Sequence, residues 1–367
     1  MKIGIDARLY SQTGVGVYIN NLLYYFDQVQ QENDTFFIYL LKRDFRKINF
    51  KNKNLVKIEA DYLWHSLSEQ VDFLNLLYHN NLDLMHFTYF SYPIFYKKRF
   101  VITLHDLTPL LFKTGRTSTK NKLLYQFKYL VFKTVLKSAV SRSSAIITPS
   151  ETVKRQIVNY YGNEYGKKTF PVYEGVNNQL FRAKEDQELK KKFSKPFFIY
   201  VGNFYPHKNV EKLIKSFSKI KEEVQLILLG PNDYFQSKIV QLINQLYMEN
   251  KIVFYCNPTY AELTFFYKNS LALIHPSMSE GFGLPLIEAA YFNCPIIASN
   301  IPIFQELLGD TYLSFNPLSE DDIVDKINYF LQCPLKFDYK AILKKYSFKK
   351  MTEKTLEIYS AFFYKSW

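Results

Sequence analysis

Cysteine is scarce in this chain, and its few copies form no pattern. Only three of the 367 residues are cysteine, namely Cys256, Cys294 and Cys333, and they lie far apart. This spacing argues against a disulfide framework and matches no zinc-ligand motif. Long hydrophobic runs are also missing, because no uninterrupted apolar stretch is long enough to span a bilayer. The N-terminus lacks the apolar core of a secretory signal. We therefore expect a cytoplasmic protein.

Acidic residues are missing from one long stretch of the first half. The formal net charge is +13, and 24 basic residues stand against 14 acidic ones at positions 1–180. No acidic residue occurs between Asp106 and Glu151. Such a surface suits a phosphorylated acceptor or the anionic inner face of a membrane, although a general bias toward Lys, Tyr and Phe gives the same composition. Nucleic acid is not an expected partner. The basic and aromatic residues are interleaved there: Lys113, Arg116, Lys120, Lys122, Tyr125, Phe127, Lys128, Tyr129, Phe132, Lys133, Lys137 and Arg142.

Hydrophobic residues, at 47% of the chain, are sufficient for two cores. They alternate between short strand-like runs, such as Lys2–Asp6, and longer helix-like stretches. Strict alternation of strand and helix predicts a parallel, doubly wound sheet. A polar and charged stretch at 177–195 interrupts the alternation, and a second series begins at Phe197. The predicted segments are an N-terminal domain at 1–180, a second domain at 195–347, and a C-terminal helix at 348–367 that packs back toward the first domain.

A glycine-rich segment between two glutamates carries the strongest local signal. It reads Glu280-Gly281-Phe282-Gly283-Leu284-Pro285-Leu286-Ile287-Glu288. Glycine lets a backbone approach a ligand closely, and proline suits a first helical turn. The free N–H groups at such a helix end attract a diphosphate. The two carboxylates are suited to accept hydrogen bonds from sugar and ribose hydroxyls, although a generic strand–helix turn with solvated glutamates has the same bare spacing.

The surroundings of this segment resemble retaining glycosyltransferases of family 4 (glycosyltransferase group 1). The matching stretch runs from His275-Pro276-Ser277 through the E-x7-E segment to Asn293–Ser299. The resemblance implies an α/β chain of the GT-B fold, with two doubly wound Rossmann-like domains facing a central cleft. The N-terminal pieces look similar to bacterial mannosyl- and rhamnosyl-type transferases of surface polysaccharides. Three further pieces follow in the family's order: Asp6-Ala7-Arg8 with Thr13-Gly14-Val15-Gly16, then Ile102–Asp106, and then Tyr200–Asn209.

The resemblance assigns the residues of a donor site. Glu280 would contact the donor sugar and Glu288 the ribose of the nucleotide. Lys208 matches the lysine that pairs with the diphosphate and stabilises the departing charge. At Asn203 the chain departs from the family, since many relatives carry an arginine there, and His207 or backbone donors would compensate. The remaining donor-side positions are Gly14, Gly16, Gly202, Gly281, Phe282, Gly283 and Leu284.

Histidines at predicted strand ends supply further candidates. His105 follows the apolar run Val101–Leu104, and the resemblance places it near the transferred sugar. Asp106 either orients that loop or caps the following turn. We take His105, Asp106 and Glu280 as the catalytic candidates. Arg8 and His86 are the candidates on the acceptor side, although a lone histidine is more often structural.

The resemblance implies a retaining, metal-independent transfer of a hexose from a nucleotide-diphosphate sugar to a glycan or lipid-linked acceptor in cell-surface polysaccharide synthesis. A donor of the GDP-mannose type is expected, with no cofactor and no metal site, because no Asp-x-Asp pair occurs. The enzyme would be cytoplasmic and peripheral on the inner face of the membrane.

Other functions fit parts of this pattern. A dinucleotide-binding dehydrogenase is disfavoured, because Ile19 stands where the third glycine of that motif belongs. Two alternatives stay open. One is a non-catalytic nucleotide-sugar-binding protein, and the other is a different GT-B enzyme, either an inverting transferase or an epimerase.

Overall fold

The structure, a computed structural model, describes residues 1–29, 34–112 and 122–364. The chain forms two compact units, one made of residues 1–174 with the chain from 348 onward, and the other of residues 175–347. The first unit thus ends before residue 180, where we had predicted the boundary. The predicted linker at 177–195 instead belongs to the second unit, because its apolar side chains Leu180, Leu189 and Phe193 are buried.

The first unit is built on a parallel sheet. Its strands are β1 Lys2–Asp6, β2 Thr35–Leu40, β3 Leu55–Glu59, β4 Leu84–Phe87, β5 Phe100–Thr103, β6 Ala145–Thr148 and β7 Thr169–Pro171. They lie in the order β3-β2-β1-β4-β5-β6-β7, so the sheet reverses its direction of growth after β3, as in a doubly wound fold. Strands β4, β5 and β6 are buried on both faces, which explains why they read as continuous apolar runs.

Helices cover both faces of this sheet. Between β3 and β4 the chain forms a π-helical turn, Glu69–Phe73, and then a short α-helix. The basic and aromatic stretch forms a helix that the structure describes from Lys122 to Arg142. The predicted basic positions Lys113, Arg116 and Lys120 lie outside the described residues, as do the side chains of Lys122 and Tyr125. The helices are α1 Val15–Phe26, α2 Lys42–Phe45, α3 Leu74–His79, α4 Thr108–Leu111, α5 Lys122–Arg142 and α6 Glu151–Tyr161, followed by a 3-10 turn at Asn163–Lys168.

The second unit has a parallel sheet in the order β10-β9-β8-β11-β12-β13. Its strands are β8 Phe197–Val201, β9 Gln225–Gly230, β10 Ile252–Cys256, β11 Leu273–His275, β12 Ile296–Ser299 and β13 Leu313–Phe315. Its helices are α7 Asn178–Arg182, α8 Leu189–Lys192, α9 Val210–Phe217, α10 Tyr234–Gln245, α11 Tyr260–Asn269, α12 Leu284–Tyr291, α13 Pro302–Leu308, α14 Glu320–Gln332 and α15 Lys340–Lys345, with a 3-10 turn at Pro206–Lys208.

The last helix, α16 (Phe348–Tyr364), belongs to the first unit. Tyr359 is fully buried, and its ring packs edge-on against Phe26 of α1 and His86 of β4. Thr352 and Thr355 are buried on the same helix and return their hydroxyls to its own backbone carbonyls. None of the helices in the described ranges is both long enough and apolar enough to cross a membrane.

Candidate active site

Two loops of the second unit lie side by side because their strands are neighbours in the sheet. The first loop follows β8 and the second follows β11, and Leu273 is paired with Ile199. Asn209, which has a left-handed backbone with φ of 59°, donates from Nδ2 to the Pro276 carbonyl at 3.2 Å. The backbone N–H of Met278 donates to the His207 carbonyl at 2.8 Å. These bonds fix the two loops against each other.

Lys208 and Glu280, one from each loop, form a close ion pair. The Lys208 Nζ lies 2.6 Å and 2.8 Å from the two oxygens of the Glu280 carboxylate. Ser277 Oγ donates to Glu280 Oε1 at 2.7 Å, and His275 Nε2 lies 3.1 Å from the same atom. The lysine and glutamate side chains keep 15% and 11% of their surface exposed. The pair is therefore held by a preformed network and is still reachable from solvent.

The charge on Glu280 follows from these contacts. Burial alone would raise the pKa of Glu280, but the Lys208 charge and the hydrogen bonds from His275 and Lys208 outweigh it and hold the pKa well below its usual range. Burial lowers the pKa of His275, against the opposing effect of Glu280. Since a carboxylate only accepts hydrogen bonds, the neutral His275 ring carries its proton on Nε2.

The glycine-rich segment turns directly into α12. Gly283 is the N-cap residue with φ of 113°, a conformation that side chains disfavour, and a Cβ there would lie 3.2 Å from both Leu286 and Phe304. Pro285 occupies the first helical turn. Phe282 and Gly281 are buried beside it, and Leu284 is half-buried. The N-terminal end of α12 thus follows Glu280 closely, in the arrangement that favours anion binding.

Glu288 lies about one turn into α12 and differs from Glu280 in its surroundings. It is buried, and Tyr267 donates a hydrogen bond to its Oε2 at 2.9 Å. Burial raises the pKa of Glu288 to about 7, although the tyrosine bond acts in the opposite direction. Among the described residues, no positively charged side chain contacts Glu288 to offset the effect of burial on its pKa. The side chain thus changes charge close to neutral pH.

Asn203 follows Gly202 in the first loop, at the end of β8. The Tyr200 hydroxyl donates to its backbone carbonyl. The side-chain oxygen of Asn203 is buried and has no hydrogen-bond partner among the described residues. A buried acceptor without a donor is unfavourable. Because its side chain is a neutral amide, Asn203 adds no positive charge to this loop.

His105 is placed as predicted, in the loop after β5 of the first unit. Its Nε2 lies 3.0 Å from the Thr88 carbonyl, and its ring packs edge-on against Tyr18. Its Nδ1 lies 3.6 Å from the carboxylate of Glu174. The ring is half-buried with two fixed polar neighbours. Its neighbour Asp106 accepts a hydrogen bond from the Thr108 N–H at 2.7 Å and so caps the turn that begins α4.

The structure corrects the prediction that Arg8 is an acceptor-side residue. Its guanidinium is only 2% exposed and donates to Asp6 Oδ1 and Oδ2, to Glu69 Oε1 at 2.8 Å and to the Tyr62 carbonyl. It also lies 3.9 Å above the ring of Phe73. Because the guanidinium is enclosed and its donors are used internally, Arg8 ties β1 to the π-helical turn and presents no charge to a ligand.

The structure also corrects the prediction that His86 is an acceptor-side residue. The ring is fully buried between the Tyr359 hydroxyl at Nδ1 and the Thr103 hydroxyl at Nε2, at 2.5 Å and 2.8 Å. Burial, with the charge of His105, lowers the pKa of His86 to about 3. His86 therefore stays neutral and links β4 and β5 to α16. The error arose because His86 lies within β4, where its side chain packs against α16 on a face of the sheet and does not extend from the carboxyl edge.

The two glycines at the start of α1 are there for different structural reasons. Gly14 is the N-cap residue, and its surroundings leave space for a side chain. At Gly16 a Cβ would lie 2.5 Å from the Tyr10 carbonyl oxygen. Gly16 is therefore required by the close approach of the preceding turn, whatever else it contacts.

Three residues of these networks escaped the sequence analysis. Ser277 and Tyr267 fix the two glutamates, and Glu174 faces His105. Glu174 follows β7, a three-residue strand that the apolar pattern did not reveal. Recognising that strand would have placed a carboxylate at the carboxyl edge of the sheet. Tyr267 reaches Glu288 from 21 positions away through tertiary packing, whereas Ser277 precedes Glu280 by only three residues.

The fold has close counterparts among solved structures. The structure superposes on a sucrose-phosphate synthase of Thermosynechococcus elongatus with a TM-score of 0.79 at 16% identity, covering 99% of each chain. It also superposes on Anabaena Alr3699/HepE, solved with UDP and glucose, with a TM-score of 0.76 at 16% identity over 98% of this chain and 100% of the other. The predicted α/β class, with two doubly wound domains of the GT-B type, is confirmed.

Sequence comparison identifies the family. The model "Glycosyltransferase Family 4" matches residues 14–180, and "Glycosyl transferases group 1" matches residues 181–350. The O-antigen chain mannosyltransferase RfbU of Salmonella typhimurium is 31% identical over 74% of this chain and 71% of its own length. The O-antigen chain mannosyltransferase B of Escherichia coli is 23% identical over 78% and 74%. The chain belongs to the group 1 glycosyltransferases of family 4 and is an enzyme of the hexosyltransferase type.

Proposed function

We propose that this enzyme transfers a hexose, with retention of anomeric configuration and without a metal ion, from a nucleotide-diphosphate sugar to a glycan or lipid-linked acceptor in cell-surface polysaccharide synthesis. The donor is of the GDP-mannose type. Two relatives named as O-antigen mannosyltransferases, covered over more than two thirds of their length, support the sugar and the pathway.

One observation carries the proposal: the Lys208–Glu280 pair lies directly before the N-terminus of α12. In the free protein Glu280 neutralises Lys208. A diphosphate would compete for the ammonium group, and the helix N-terminus would add N–H donors without any metal charge. Glu280, released from Lys208, would then accept hydrogen bonds from the sugar, and Glu288 would accept them from the ribose.

The chemistry proposed for this site is front-face attack by the acceptor hydroxyl. The departing phosphate helps to remove its proton, and the transition state resembles an oxocarbenium ion next to a leaving diphosphate. Lys208 would stabilise the charge on that leaving group. His105 would hydrogen-bond the transferred sugar. Arg8 and His86 have no part in this scheme, since both are enclosed in the first unit.

Nucleotide binding is the first test of this proposal. We expect one of GDP, UDP, ADP and dTDP, with GDP preferred, to raise the unfolding free energy by about 2.7 kcal/mol at 100 times its Kd. The Glu288→Ala variant should respond much less, whereas Glu223→Ala, at an exposed position in the same unit, should respond like the wild type. If no nucleotide stabilises the wild type, the assignment of the donor site is wrong.

Transfer and stereochemistry are tested with the nucleotide sugar that this screen selects. Proton NMR of the product should show the anomeric configuration of the donor, and turnover should persist in excess EDTA. An inverted product would favour the alternative GT-B enzyme. Nucleotide binding without turnover, and with no effect of His105→Ala, would favour a non-catalytic binding protein. The uncharged side chain of Asn203 supports this alternative.

The first unit carries a surface suited to an anionic membrane. On α5 the side chains of Phe127, Leu130 and Val131, which we call the α5 stripe, are spaced three and four residues apart and are largely exposed. The exposed residues Lys128, Lys133 and Lys137 accompany them on the same helix. An apolar stripe accompanied by lysines favours binding in the plane of an anionic lipid surface. We propose that the enzyme is cytoplasmic and peripheral on the inner membrane face, where a lipid-linked acceptor would be presented.

A further inference from the structure

A buried carboxylate faces His105 in the first unit. Glu174 is 4% exposed, and its Oε1 lies 3.6 Å from Nδ1 of His105. His105 follows β5 and Glu174 follows β7. The carboxyl ends of parallel strands share one edge of a sheet, and that edge is where doubly wound sheets bind ligands. The pair therefore lies at a ligand-binding edge.

The other nitrogen of the His105 ring is already engaged. Nε2 lies 3.0 Å from the carbonyl oxygen of Thr88, in the loop after β4. A carbonyl oxygen only accepts hydrogen bonds, so Nε2 carries a proton and donates it. The ring of Tyr18 packs edge-on with its centroid 4.9 Å away and limits rotation of the imidazole. Nδ1 is thus the nitrogen that remains for a ligand.

Glu174 has no hydrogen-bond donor in the part of the chain that the structure describes. Its contact with Nδ1 is longer than a hydrogen bond. Two titratable side chains of the described residues interact electrostatically with the pair: Tyr18 with Glu174, and His86 with His105. Burial raises the pKa of Tyr18 far above neutrality and lowers that of His86 to about 3, so both are uncharged near pH 7. A buried carboxylate without a donor is unfavourable, and such a group is typical of a site that receives a ligand.

We propose that Glu174 is a substrate-binding residue that, together with His105, binds one hydroxyl group of a sugar. The inference rests on the proposed function, since it requires a sugar substrate. A hydroxyl placed between the two side chains donates its proton to the carboxylate. Its oxygen accepts from Nδ1 whenever that nitrogen carries a proton. Hydrogen bonds to an ionised acceptor are strong, so this contact would discriminate between sugars.

The experiment compares the full-length wild type with Glu174→Gln. Glu353→Gln, at an exposed position on α16 of the same unit, serves as the matched control. We expect Glu174→Gln to lower kcat/KM for transfer about 10- to 100-fold, as for the loss of one hydrogen bond to a charged group. Thermal stabilisation by the nucleoside diphosphate alone should be unchanged, because that ligand has no sugar to transfer. Glu353→Gln should match the wild type in both assays.

A double variant tests whether the two residues act on the same hydroxyl. Glu174→Gln should cost much less activity in a His105→Ala background than alone. Hydrolysis of the nucleotide sugar without acceptor distinguishes the source of the hydroxyl. If it belongs to the transferred sugar, hydrolysis falls together with transfer. If it belongs to the acceptor, hydrolysis is retained and the KM for the acceptor rises.

Two results would overturn the proposal. One is a Glu174→Gln variant whose kcat/KM for donor and for acceptor equals that of the wild type. The other is full additivity of the two substitutions. If no nucleoside diphosphate stabilises the wild type, the proposed function itself is contradicted. The nucleotide screen of the wild type therefore precedes the comparison of the Glu174 variants.

Discussion

The two glutamates of the E-x7-E segment illustrate how surroundings set the chemistry of identical residues. Glu280 faces an ammonium group and stays ionised, because Lys208 holds its pKa well below the usual range despite burial. Glu288 faces only the Tyr267 hydroxyl, and burial raises its pKa to about 7. The sequence shows two carboxylates at a fixed spacing, whereas their opposite pKa shifts depend on partners 72 and 21 positions away.

The raised pKa of Glu288 predicts a pH-dependent stability. The pKa of Glu288 is about 7 in the folded protein, against an ordinary value of 4.5. The uncharged carboxyl therefore stabilises the fold, and this contribution is fully present below pH 4.5. That contribution is lost as pH rises through 7. We expect Glu288→Gln, which cannot ionise, to be less sensitive to pH than the wild type over this window, by roughly 3 kcal/mol in total. Urea unfolding at pH 5, 6 and 7.5 measures the difference.

The matched control for that experiment is Glu223→Gln, because Glu223 is an exposed glutamate of the same unit. It should follow the pH dependence of the wild type. A Glu288→Gln protein with the same pH dependence as the wild type would contradict the raised pKa. It would also imply that Glu288 is ionised throughout and reaches a positive group.

At the scale of one element, the start of α12 depends on a single backbone conformation. Gly283 has φ of 113°, and a Cβ there would lie 3.2 Å from Leu286 and Phe304. We expect Gly283→Ala to reduce the unfolding free energy by about 1–3 kcal/mol, because a left-handed residue with a side chain is strained. Nucleotide stabilisation should fall as well, since the backbone donors at the helix end would move. Thermal unfolding with and without nucleotide measures both effects.

Gly309 is the matched control for this substitution. It also has a positive φ, of 53°, in the second unit, but a Cβ there meets no atom within 4 Å. Gly309→Ala should therefore cost less stability and leave nucleotide stabilisation intact. Equal losses of nucleotide binding in both variants would show that general destabilisation, and not the geometry of α12, causes the effect.

Helices and strands were predictable from the sequence where the residues within them determine their conformation. The runs at β5 and β6 are buried on both faces, as are Ile3 and Ile5 of β1. Ser150 caps α6 by accepting a hydrogen bond from the Val153 N–H. The short strands β3, β7 and β13 were missed, since few residues contribute to each pattern. Their formation depends on pairing with a neighbouring strand, which is a property of the whole sheet.

Within the candidate site, local sequence located the loops but not the orientation of every side chain. Lys208 and Glu280 follow strands that pair in the sheet, so their proximity follows from topology. Arg8 and His86 also lie next to strand ends, yet both point into the unit. Whether a strand-end residue faces the ligand edge or a covering helix depends on α16 and on the π-helical turn, whose positions no local motif encodes.

At the scale of the whole molecule, the excess positive charge lies mainly in the sequence of the first unit, where the α5 stripe is exposed. We expect the enzyme to bind vesicles that contain anionic phospholipid, and binding should weaken sharply between low and high salt, because exposed charges are screened. Each lysine near such a surface contributes about 1 kcal/mol. Replacing Lys128, Lys133 and Lys137 together by Gln should therefore lower the partition coefficient by about two orders of magnitude.

The apolar part of this surface is tested by Leu130→Ser with vesicle co-sedimentation. A leucine that is largely exposed in solution and becomes buried in lipid contributes about 1–2 kcal/mol, so binding should fall about 5- to 30-fold. Leu318→Ser, at an equally exposed leucine of the second unit, should bind as the wild type does. If binding is unchanged by salt, the lysines of α5 do not contact the membrane, and if it falls equally in both leucine variants, the α5 stripe does not contact it. The basic excess of the first unit would then be left to a phosphorylated acceptor in solution, and transfer rates, with lipid absent, should show the same dependence on the three lysines.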